Sequence, residues 1–406
     1  MRFVYVKPGN AVREAERVLA APELLDVGGA DLFLAHFLVA ASEHPKLVLS
    51  LHYMAPEHDE RFGAVGLEVR SYYCWFSPAP LEFGSIFRKP LFTAARRSWV
   101  ATCIFVRVMS FRPNRVLCWS SAFPLWACYL AARLNGAKFT VSRHIRFPLP
   151  DEPWFRRLTA WVDKQILRRA DTVLAHGPYL AQEAKAAGAD PDRIIEFDIT
   201  YPSDSIWNRM AVEETDEAGV RRNHGEQEIL FLGRVEAAKG VFDLLEACVP
   251  LLRRQPALKL VYAGSGEATN ELRAAVACHK LEQQVVLLGA VPHEQLPARI
   301  REAWVVVTPT RREFPEGRCM AAMEGLVAGR PVVAPGFGPF PYLVQHGKNG
   351  LLYEPDSVVS LRESLARVVE DVDLYSTLRS GARDSSAVLR AHEFAYYDAV
   401  KEAFER

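Results

Sequence analysis

A short segment in the second half of the chain, FLGRVEAAKG, places two cations where an α/β fold binds phosphate. Its apolar start predicts a strand that ends at Gly233 and Arg234, and Lys239 follows five residues later at the start of a helix. Strand carboxyl ends and helix N-termini bind phosphates in α/β sheets, and two cations there can hold a diphosphate from both sides. The segment alone is equally compatible with an Arg234 that caps a turn and a solvated Lys239.

A second segment, EGRCMAAMEGLVAGRPVV, carries two carboxylates, Glu316 and Glu324, with seven residues between them. Gly317 allows close approach at the start of the predicted helix, and Glu324 would lie about two turns inside it. Because the helix is apolar, this carboxylate needs a hydrogen-bonding partner. A ribose diol would serve, since its paired hydroxyls suit a carboxylate. An ion pair with Arg318 or Arg330 is the alternative.

These residues are expected at the edges of parallel sheets, because short apolar strands alternate with amphipathic helical stretches along the chain. The alternation is regular in the second half and looser in the first. It predicts an α/β fold with two Rossmann-like, doubly wound parallel-sheet domains facing a cleft. The predicted strands are 3–6, 47–51, 116–119, 139–142 and 172–175 in the first half, and 229–232, 259–263, 285–288, 304–308 and 331–334 in the second.

Length and composition agree with two domains in one neutral chain. The 406 residues suit two domains of roughly 200 residues each. We expect an N-terminal domain over 1–200, a polar linker over 201–227, a second domain over 228–385, and a C-terminal helix within 386–406, beginning at Ala391, that packs back across the domains. With 49 basic and 49 acidic residues and no recognised module, nucleic-acid binding is not favoured.

The cysteines indicate a reducing compartment, and the apolar runs give no sign of a membrane span. The seven cysteines are scattered without a CxxC pair, as expected for buried free thiols. No run reaches the ~18 apolar residues that span a bilayer, and the start MRFVYVKPGN resembles a first core strand rather than a signal peptide. We expect a cytoplasmic protein.

The order and spacing of three segments, 233–240, 264–266 and 316–324, resemble the donor domain of the retaining glycosyltransferases of family four. That family shows G-R-x4-K-G, a glycine-rich turn and E-x7-E. The resemblance covers residues 228–385 closely and the first half loosely. It implies the GT-B fold and a retaining hexosyltransferase in glycan or polysaccharide biosynthesis, with a nucleotide diphosphate sugar as donor substrate and no tightly bound cofactor or metal.

The resemblance implies roles for individual residues. Arg234 and Lys239 would bind the diphosphate and stabilise it as the leaving group. Glu324 would hold the ribose. Glu316, together with the backbone amides of Arg318 and Cys319, would contact the transferred sugar. One departure is Tyr342, which stands where many members have Glu and leaves UDP-, GDP- and ADP-sugars open as donors. The other residues placed at the donor are Gly233, Gly264, Gly266, Gly317, Arg318 and Cys319.

The first half adds weaker candidates. Gly28 and Gly29 precede a predicted helix and match a family loop that faces donor and acceptor, with tight strand–helix packing as the alternative role. His144 follows a strand where the family commonly has a histidine that points into the cleft. It is a catalytic candidate, whereas a lone histidine is more often structural. His176, where members often have Ser, is weaker.

A basic segment in the first half suggests an acceptor class. Between Phe83 and Pro150 there are eleven Arg and Lys residues and no acidic residue, interleaved with aromatic side chains. Such a segment suits a lipid-linked or anionic acceptor and peripheral contact with the anionic inner face of the membrane. A solvated basic face on an apolar core is the equal alternative.

The expected reaction is transfer of a sugar from the donor to an acceptor hydroxyl of a glycan, polysaccharide precursor or lipid-linked molecule. No carboxylate pair is placed as nucleophile and acid, which favours front-face displacement assisted by the leaving phosphate. A GT-B sugar-nucleotide epimerase and an inactive partner that binds sugar nucleotide or membrane are the alternatives. Acceptor dependence separates the transferase from the epimerase.

Overall fold

A computed structural model describes residues 1–8, 34, 37–38, 41, 44–52, 58–62, 67–73, 90–149, 153–198, 227–292, 295–392 and 394–406. The chain divides into two compact units. Unit 1 comprises Met1–Ile199 and Phe394–Arg406, and unit 2 comprises Thr200–Glu393. The predicted linker lies outside the described residues, apart from Gln227.

The elements alternate along the chain in both units. The strands are β1 Phe3–Pro8, β2 Lys46–His52, β3 His58–Phe62, β4 Leu67–Tyr73, β5 Arg115–Cys118, β6 Lys138–Arg143, β7 Thr172–His176, β8 Ile194–Phe197, β9 Glu228–Leu232, β10 Lys259–Ala263, β11 Val285–Gly289, β12 Val305–Val307, β13 Val332–Pro335 and β14 Gly350–Tyr353. The helices are α1 Pro90–Phe111, α2 Ala122–Leu134, α3 Trp154–Leu167, α4 Pro178–Ala186, α5 Val241–Arg254, α6 Thr269–His279, α7 Leu296–Glu302, α8 Met320–Val327, α9 Val358–Glu370, α10 Val372–Arg390 and α11 Tyr396–Glu405.

Unit 1 contains a sheet in the order β3-β4-β2-β1-β5-β6-β7-β8, in which only the edge pair β3–β4 is antiparallel. Alternating residues of β1 enter different cores, as the period of a strand requires. Val4 and Val6 pack with α1, α2 and α3, whereas Phe3 and Tyr5 pack with α11.

Unit 2 contains an all-parallel sheet in the order β11-β10-β9-β12-β13-β14. The chain starts in the middle at β9, moves outward to β11, and then crosses back to β12 on the other side of β9. This reversal places a topological switch point between β9 and β12, where α/β sheets bind ligands beyond their strand ends. Both sheets confirm the predicted fold of two Rossmann-like parallel-sheet units.

The boundaries differ from the prediction at several points. The last helix begins at Tyr396 rather than Ala391, because α10 ends at Arg390 and an extended Ala395 caps the new helix. Strands β3, β4, β8 and β14 were not predicted from the sequence. Three of them, β3, β8 and β14, are short edge strands of four or five residues, and β4 carries the charged Glu68 and Arg70 within its run.

Candidate functional site

The switch point of unit 2 gathers the predicted donor residues at the carboxyl edge of its sheet. Gly233 and Arg234 directly follow β9, and Thr308 directly follows β12. Lys239 ends a 3-10 turn, Ala237–Lys239, and Gly240 then opens α5 with a left-handed φ of 73°. A side chain on Gly240 would collide with the backbone of Pro309, since its Cβ would lie 1.8 Å from that carbonyl oxygen. The loops that follow β9 and β12 are therefore in direct backbone contact.

The loops after β9 and β10 touch in the same way. A Cβ on Gly264 would lie 1.8 Å from the carbonyl oxygen of Gly233. One on Gly266 would lie 2.3 Å from the carbonyl oxygen of Val235. Gly264 also has a φ of 150°, which L side chains rarely adopt. The glycine-rich turn is thus needed for loop packing, whatever it contributes to a ligand.

Lys239 and Glu316, which are 77 residues apart in sequence, form an ion pair. The Nζ of Lys239 donates to Oε2 of Glu316 at 2.6 Å, and their side chains are 17% and 11% exposed. The ammonium also lies 3.8 Å from the ring centroid of Phe314, whose face attracts cations. The arrangement holds a cation and a carboxylate in fixed positions, largely shielded from water.

Arg234 is the second cation at this edge. Its guanidinium lies 5.6 Å from the same Phe314 ring and pairs with Glu236. Its side chain is 63% exposed, so it remains open to an incoming anion. The structure therefore places Arg234 and Lys239 beside the same aromatic side chain.

The segment before α8 differs from the sequence prediction. The helix begins at Met320, not at Gly317, because Cys319 is extended and occupies the N-cap position. Glu324 is therefore the fifth helical residue, little more than one turn inside. Gly317 and Arg318 are buried in the bend before the helix, and burial raises the pKa of the Cys319 thiol to about 12. The thiol is neutral at physiological pH.

A cavity of about 360 Å³ opens beside these loops, with Arg234 and Glu324 among its lining residues. Burial raises the pKa of Glu324 from 4.5 to about 7. Among the described residues no cation pairs with this carboxylate, so the ion pairs with Arg318 or Arg330 considered as the alternative are not formed. The remaining wall includes Ser265, Ala290, Val291, Leu296 and Met320.

Sequence reasoning missed several parts of this site. Phe314 joins the two cations, and its position two residues before Glu316 is the signal that could have identified it. The buried Oγ1 of Thr308 has no hydrogen-bond partner among the described residues. Ala290 and Val291, just beyond β11, also line the cavity.

The candidates in unit 1 have different surroundings. Gly28 and Gly29 lie outside the described residues. His144 is 9% exposed, its Nε2 lies 2.8 Å from Oγ of Ser142, and its ring packs 4.0 Å from that of Trp119. Burial, and then the nearby His176, lower the pKa of His144 well below 6.5, so its ring is neutral.

His176 is also buried, and its Nε2 lies 3.6 Å from a carboxylate oxygen of Asp198. Its ring stacks on Phe197 at 5.1 Å. The two histidine rings are 5.6 Å apart and in edge contact. His144 directly follows β6 and His176 ends β7, and together they form one buried cluster.

The described part of the basic segment is mostly a packed face. Phe105, Phe111 and Trp126 pack against the core of unit 1, whereas Trp99 is 60% exposed. Phe83 and the side chain of Phe92 lie outside the described residues. In the part of the chain that the structure covers, no helix has the length and apolarity to cross a membrane. That part also holds no cluster of three or more His, Cys, Asp or Glu side chains arranged for a metal.

Comparison with known proteins identifies both halves of the chain. Residues 212–385 match the family model of glycosyl transferases group 1, and residues 33–196 match the glycosyl transferase 4-like domain. Together these models match most of the chain. The chain therefore carries a glycosyl transferases group 1 domain after a glycosyl transferase 4-like domain. The matched domains support a glycosyltransferase that uses a nucleotide sugar.

Named relatives agree with this assignment. The chain is 26% identical to alpha-D-kanosaminyltransferase of Streptomyces kanamyceticus over 63% of its own length and 67% of that protein. It is 30% identical to glycogen synthase of Mycobacterium tuberculosis over 38% of its own length and 36% of that protein. It therefore spans little more than a third of the glycogen synthase.

A solved structure shows the same fold over the whole length. The Anabaena Alr3699/HepE protein in complex with UDP aligns over 100% of both chains with a TM-score of 0.65. At 16% sequence identity this likeness establishes the GT-B fold and nothing finer.

Proposed function

We propose that this glycosyltransferase moves a hexosyl group from a nucleoside diphosphate sugar to an acceptor hydroxyl, with retention of the anomeric configuration. The observation that carries the proposal is the cavity at the switch point, which is lined by Arg234 and by Glu324, a carboxylate without a cation partner among the described residues. A buried carboxylate without a partner is costly, and hydroxyl donors of a ligand would offset that cost. The ribose of a nucleotide presents such a pair of hydroxyls.

The charge of the diphosphate supports the placement of the cations. In the proposed complex Arg234 and Lys239 contact the diphosphate, and the N-terminus of α8 adds its partial positive charge. Lys239 has three donor hydrogens, so it can keep Glu316 while it binds a phosphate oxygen. Glu316 then accepts a hydroxyl of the transferred sugar and holds its position. The donor is thereby fixed before the reaction begins.

The proposed chemistry exchanges one bond at the anomeric carbon. The bond from that carbon to the terminal phosphate oxygen breaks, and a bond to the acceptor oxygen forms on the same face. The proton of the acceptor hydroxyl passes to the departing phosphate oxygen. Negative charge grows on the leaving diphosphate, where Arg234 and Lys239 stabilise it more strongly than in the ground state.

The acceptor in this proposal is a glycan, a polysaccharide precursor or a lipid-linked molecule. The relatives include a glycogen synthase and an alpha-D-kanosaminyltransferase, and these names support a hydroxylated acceptor. The fold neighbour from Anabaena is a complex with UDP, which makes UDP-sugars the first donors to test. In unit 1 the neutral His144 is proposed to contact the substrate, and Gly28 and Gly29 to supply backbone amides.

The test is a nucleotide-release assay with UDP-, GDP- and ADP-sugars in the presence of EDTA. Native protein should release nucleotide slowly from one donor, and faster when an acceptor is added. Glu324→Gln and Lys239→Gln should lose most of this activity. Glu363→Gln and Arg273→Gln, which make matched changes on exposed helix surfaces of the same unit, should keep it.

The configuration of the product is read by NMR of its anomeric proton. Inversion would refute the retaining mechanism while leaving the transferase intact. Release that does not depend on an acceptor, with epimerised sugar in solution, would replace the transferase by an epimerase. If none of the donors binds or turns over, the proposed activity is wrong.

A further inference from the structure

Helix α3 of unit 1 turns its largest apolar side chains toward solvent. Trp154 is 73% exposed, Leu158 is 53% exposed and Trp161 is 59% exposed. Phe155, beside them in the first turn, is 49% exposed. Indole rings that exposed on one 14-residue helix are unusual, because surface helices normally present polar side chains to water.

The exposed side chains form a continuous row. Trp154, Leu158 and Trp161 are spaced by four and three residues, which places them on one helical face. The opposite face, which includes Ala160 and Ile166, is buried in the core of unit 1. The helix is therefore apolar on both faces, and its packed face is fully accounted for by the fold. We call the outward face the α3 row.

Asp163 holds the helix in this orientation. Its carboxylate accepts hydrogen bonds from the backbone N–H of Ala122 at 3.0 Å and from Nε1 of Trp126 at 2.7 Å. The single acidic residue of α3 is thus directed inward, onto the start of α2. The α3 row cannot rotate into the core without breaking both bonds.

The charge around the α3 row is positive. The helix and the two residues that follow it carry Arg156, Arg157, Lys164, Arg168 and Arg169. Among these, Arg157, Arg168 and Arg169 are exposed and flank the row by their positions on the helix. Asp151 and Glu152 precede the helix and lie outside the described residues. On the described helix, no acidic group faces the same side as the row.

An apolar row with flanking cations fits an anionic lipid surface. The indole rings of Trp154 and Trp161 suit the boundary between headgroups and acyl chains, and arginines bind lipid phosphates beside it. A second copy fits poorly, because a two-fold contact through this face would bring the arginines of both copies together. At 14 residues the helix is too short to span the bilayer, so it would lie along the surface.

We propose that the α3 row is a membrane-contact surface that inserts its two tryptophans into an anionic bilayer. The surface lies after the 83–150 segment in which the sequence suggested membrane contact. It requires nothing of the donor site, so the proposal stands or falls separately from the proposed transferase activity.

The test is co-sedimentation of the full chain with vesicles. Vesicles of mixed phosphatidylglycerol and phosphatidylcholine should bind the protein, and vesicles of phosphatidylcholine alone should bind it much less. Trp154→Ser with Trp161→Ser should weaken binding about 100-fold or more, from the apolar burial of two large side chains. Arg157→Gln with Arg169→Gln should weaken it about 30-fold, at ~1 kcal/mol per basic residue. Rising salt should reduce the second effect.

Matched controls lie on unit 2. Val388→Ser removes an apolar side chain that is also 73% exposed, and Arg253→Gln with Arg273→Gln removes two exposed charges. Both controls should bind vesicles like the native protein. All changed side chains are exposed, so the thermal unfolding midpoints of the variants should agree with that of the native protein. The variant with Arg157→Gln and Arg169→Gln tests the proposal without changing an apolar side chain.

Three results would overturn the proposal. They are no binding of native protein to anionic vesicles, equal binding to both kinds of vesicle, and variants of the α3 row that bind like the native protein. If native protein is a dimer that the tryptophan pair dissociates, without any vesicle binding, the row is an interface between copies instead. Nucleotide release is measured on the same samples without vesicles. This shows whether the donor site works, independently of whether the protein binds vesicles.

Discussion

Replacing Glu324 by Gln should change how the stability of unit 2 depends on pH. Glutamine keeps the shape of the side chain and its ability to accept a hydrogen bond, but it never ionises. In the native protein the carboxyl lines the cavity without a cation partner, and burial raises its pKa from 4.5 to about 7. The substitution therefore removes a titration that differs between the folded and unfolded chain.

The size and sign of the effect follow from that difference. Between the unfolded pKa of 4.5 and the folded pKa of about 7, the folded chain holds a proton that the unfolded chain has released. The free energy of unfolding must then fall as the pH rises through this window. The full shift corresponds to about 3 kcal/mol. Because water reaches the cavity, we expect a loss of about 1–3 kcal/mol, complete above about pH 7.

Urea unfolding followed by circular dichroism measures this loss. The quantity compared is the free energy of unfolding of Glu324→Gln minus that of the native protein, at several pH values. The two units can unfold in separate steps. Leu365→Ala, which opens a cavity in the core of unit 2, identifies the step that belongs to that unit. Glu363→Gln makes the same chemical change on the exposed side of α9 and serves as the control.

The free energy of unfolding of Glu324→Gln should increase relative to that of the native protein as the pH rises from about 4.5 to about 8. A difference that is constant over this range would mean that the Glu324 carboxyl titrates alike in the folded and unfolded chain. The cavity would then be fully hydrated at this point. In that case the argument that an unpartnered carboxylate awaits a ligand would fail.

Three further predictions follow from the same geometry. Gly264→Ala should cost several kcal/mol and lower the thermal midpoint, because its Cβ would lie 1.8 Å from a backbone oxygen, whereas Gly347→Ala, with nothing within 4 Å of its Cβ, should cost about 1 kcal/mol. Lys239→Ala should destabilise the protein by about 1–3 kcal/mol because it leaves a buried carboxylate unpaired, and the double change with Glu316→Gln should recover part of this; additive effects in chemical denaturation would contradict it. The NMR titration of His144 should lie well below pH 6.5, and protonation in the ordinary histidine range would contradict its burial.

The sequence predicted the strands that carry a continuous apolar run between turn residues. All ten were found, with ends that differ by a few residues. The run at β9 is bounded by Gly233, and the run at β10 by Gly264, which makes their ends visible in the sequence. Strand β3 reads HDERF, so its pairing with β4 depends on a neighbouring strand and not on its own pattern. Local patterns cannot predict such edge strands.

The cations and carboxylates of the candidate site were predictable from the sequence, but Phe314 and the contacts between these side chains were not. The sequence placed Arg234 at a strand end and Lys239 at a helix start, because the positions of strands and helices follow from local patterns. The ion pair between Lys239 and Glu316 joins residues 77 apart, and only the packed sheet brings them together. The start of α8 was misplaced by three residues because Cys319, a weak capping residue, adopts the extended N-cap conformation.

The backbone contacts between the loops of unit 2 restrict how donor preference can change. Where carbonyl oxygens of Gly233 and Val235 lie against Gly264 and Gly266, there is no side chain to exchange and no room to add one. If the cavity holds the donor as proposed, changes in the accepted nucleotide or sugar are expected from lining side chains outside the glycine contacts, at Ala290 and Val291 after β11 and at Leu296 in α7. A library for engineering new donors should leave the glycine loops fixed and vary those positions.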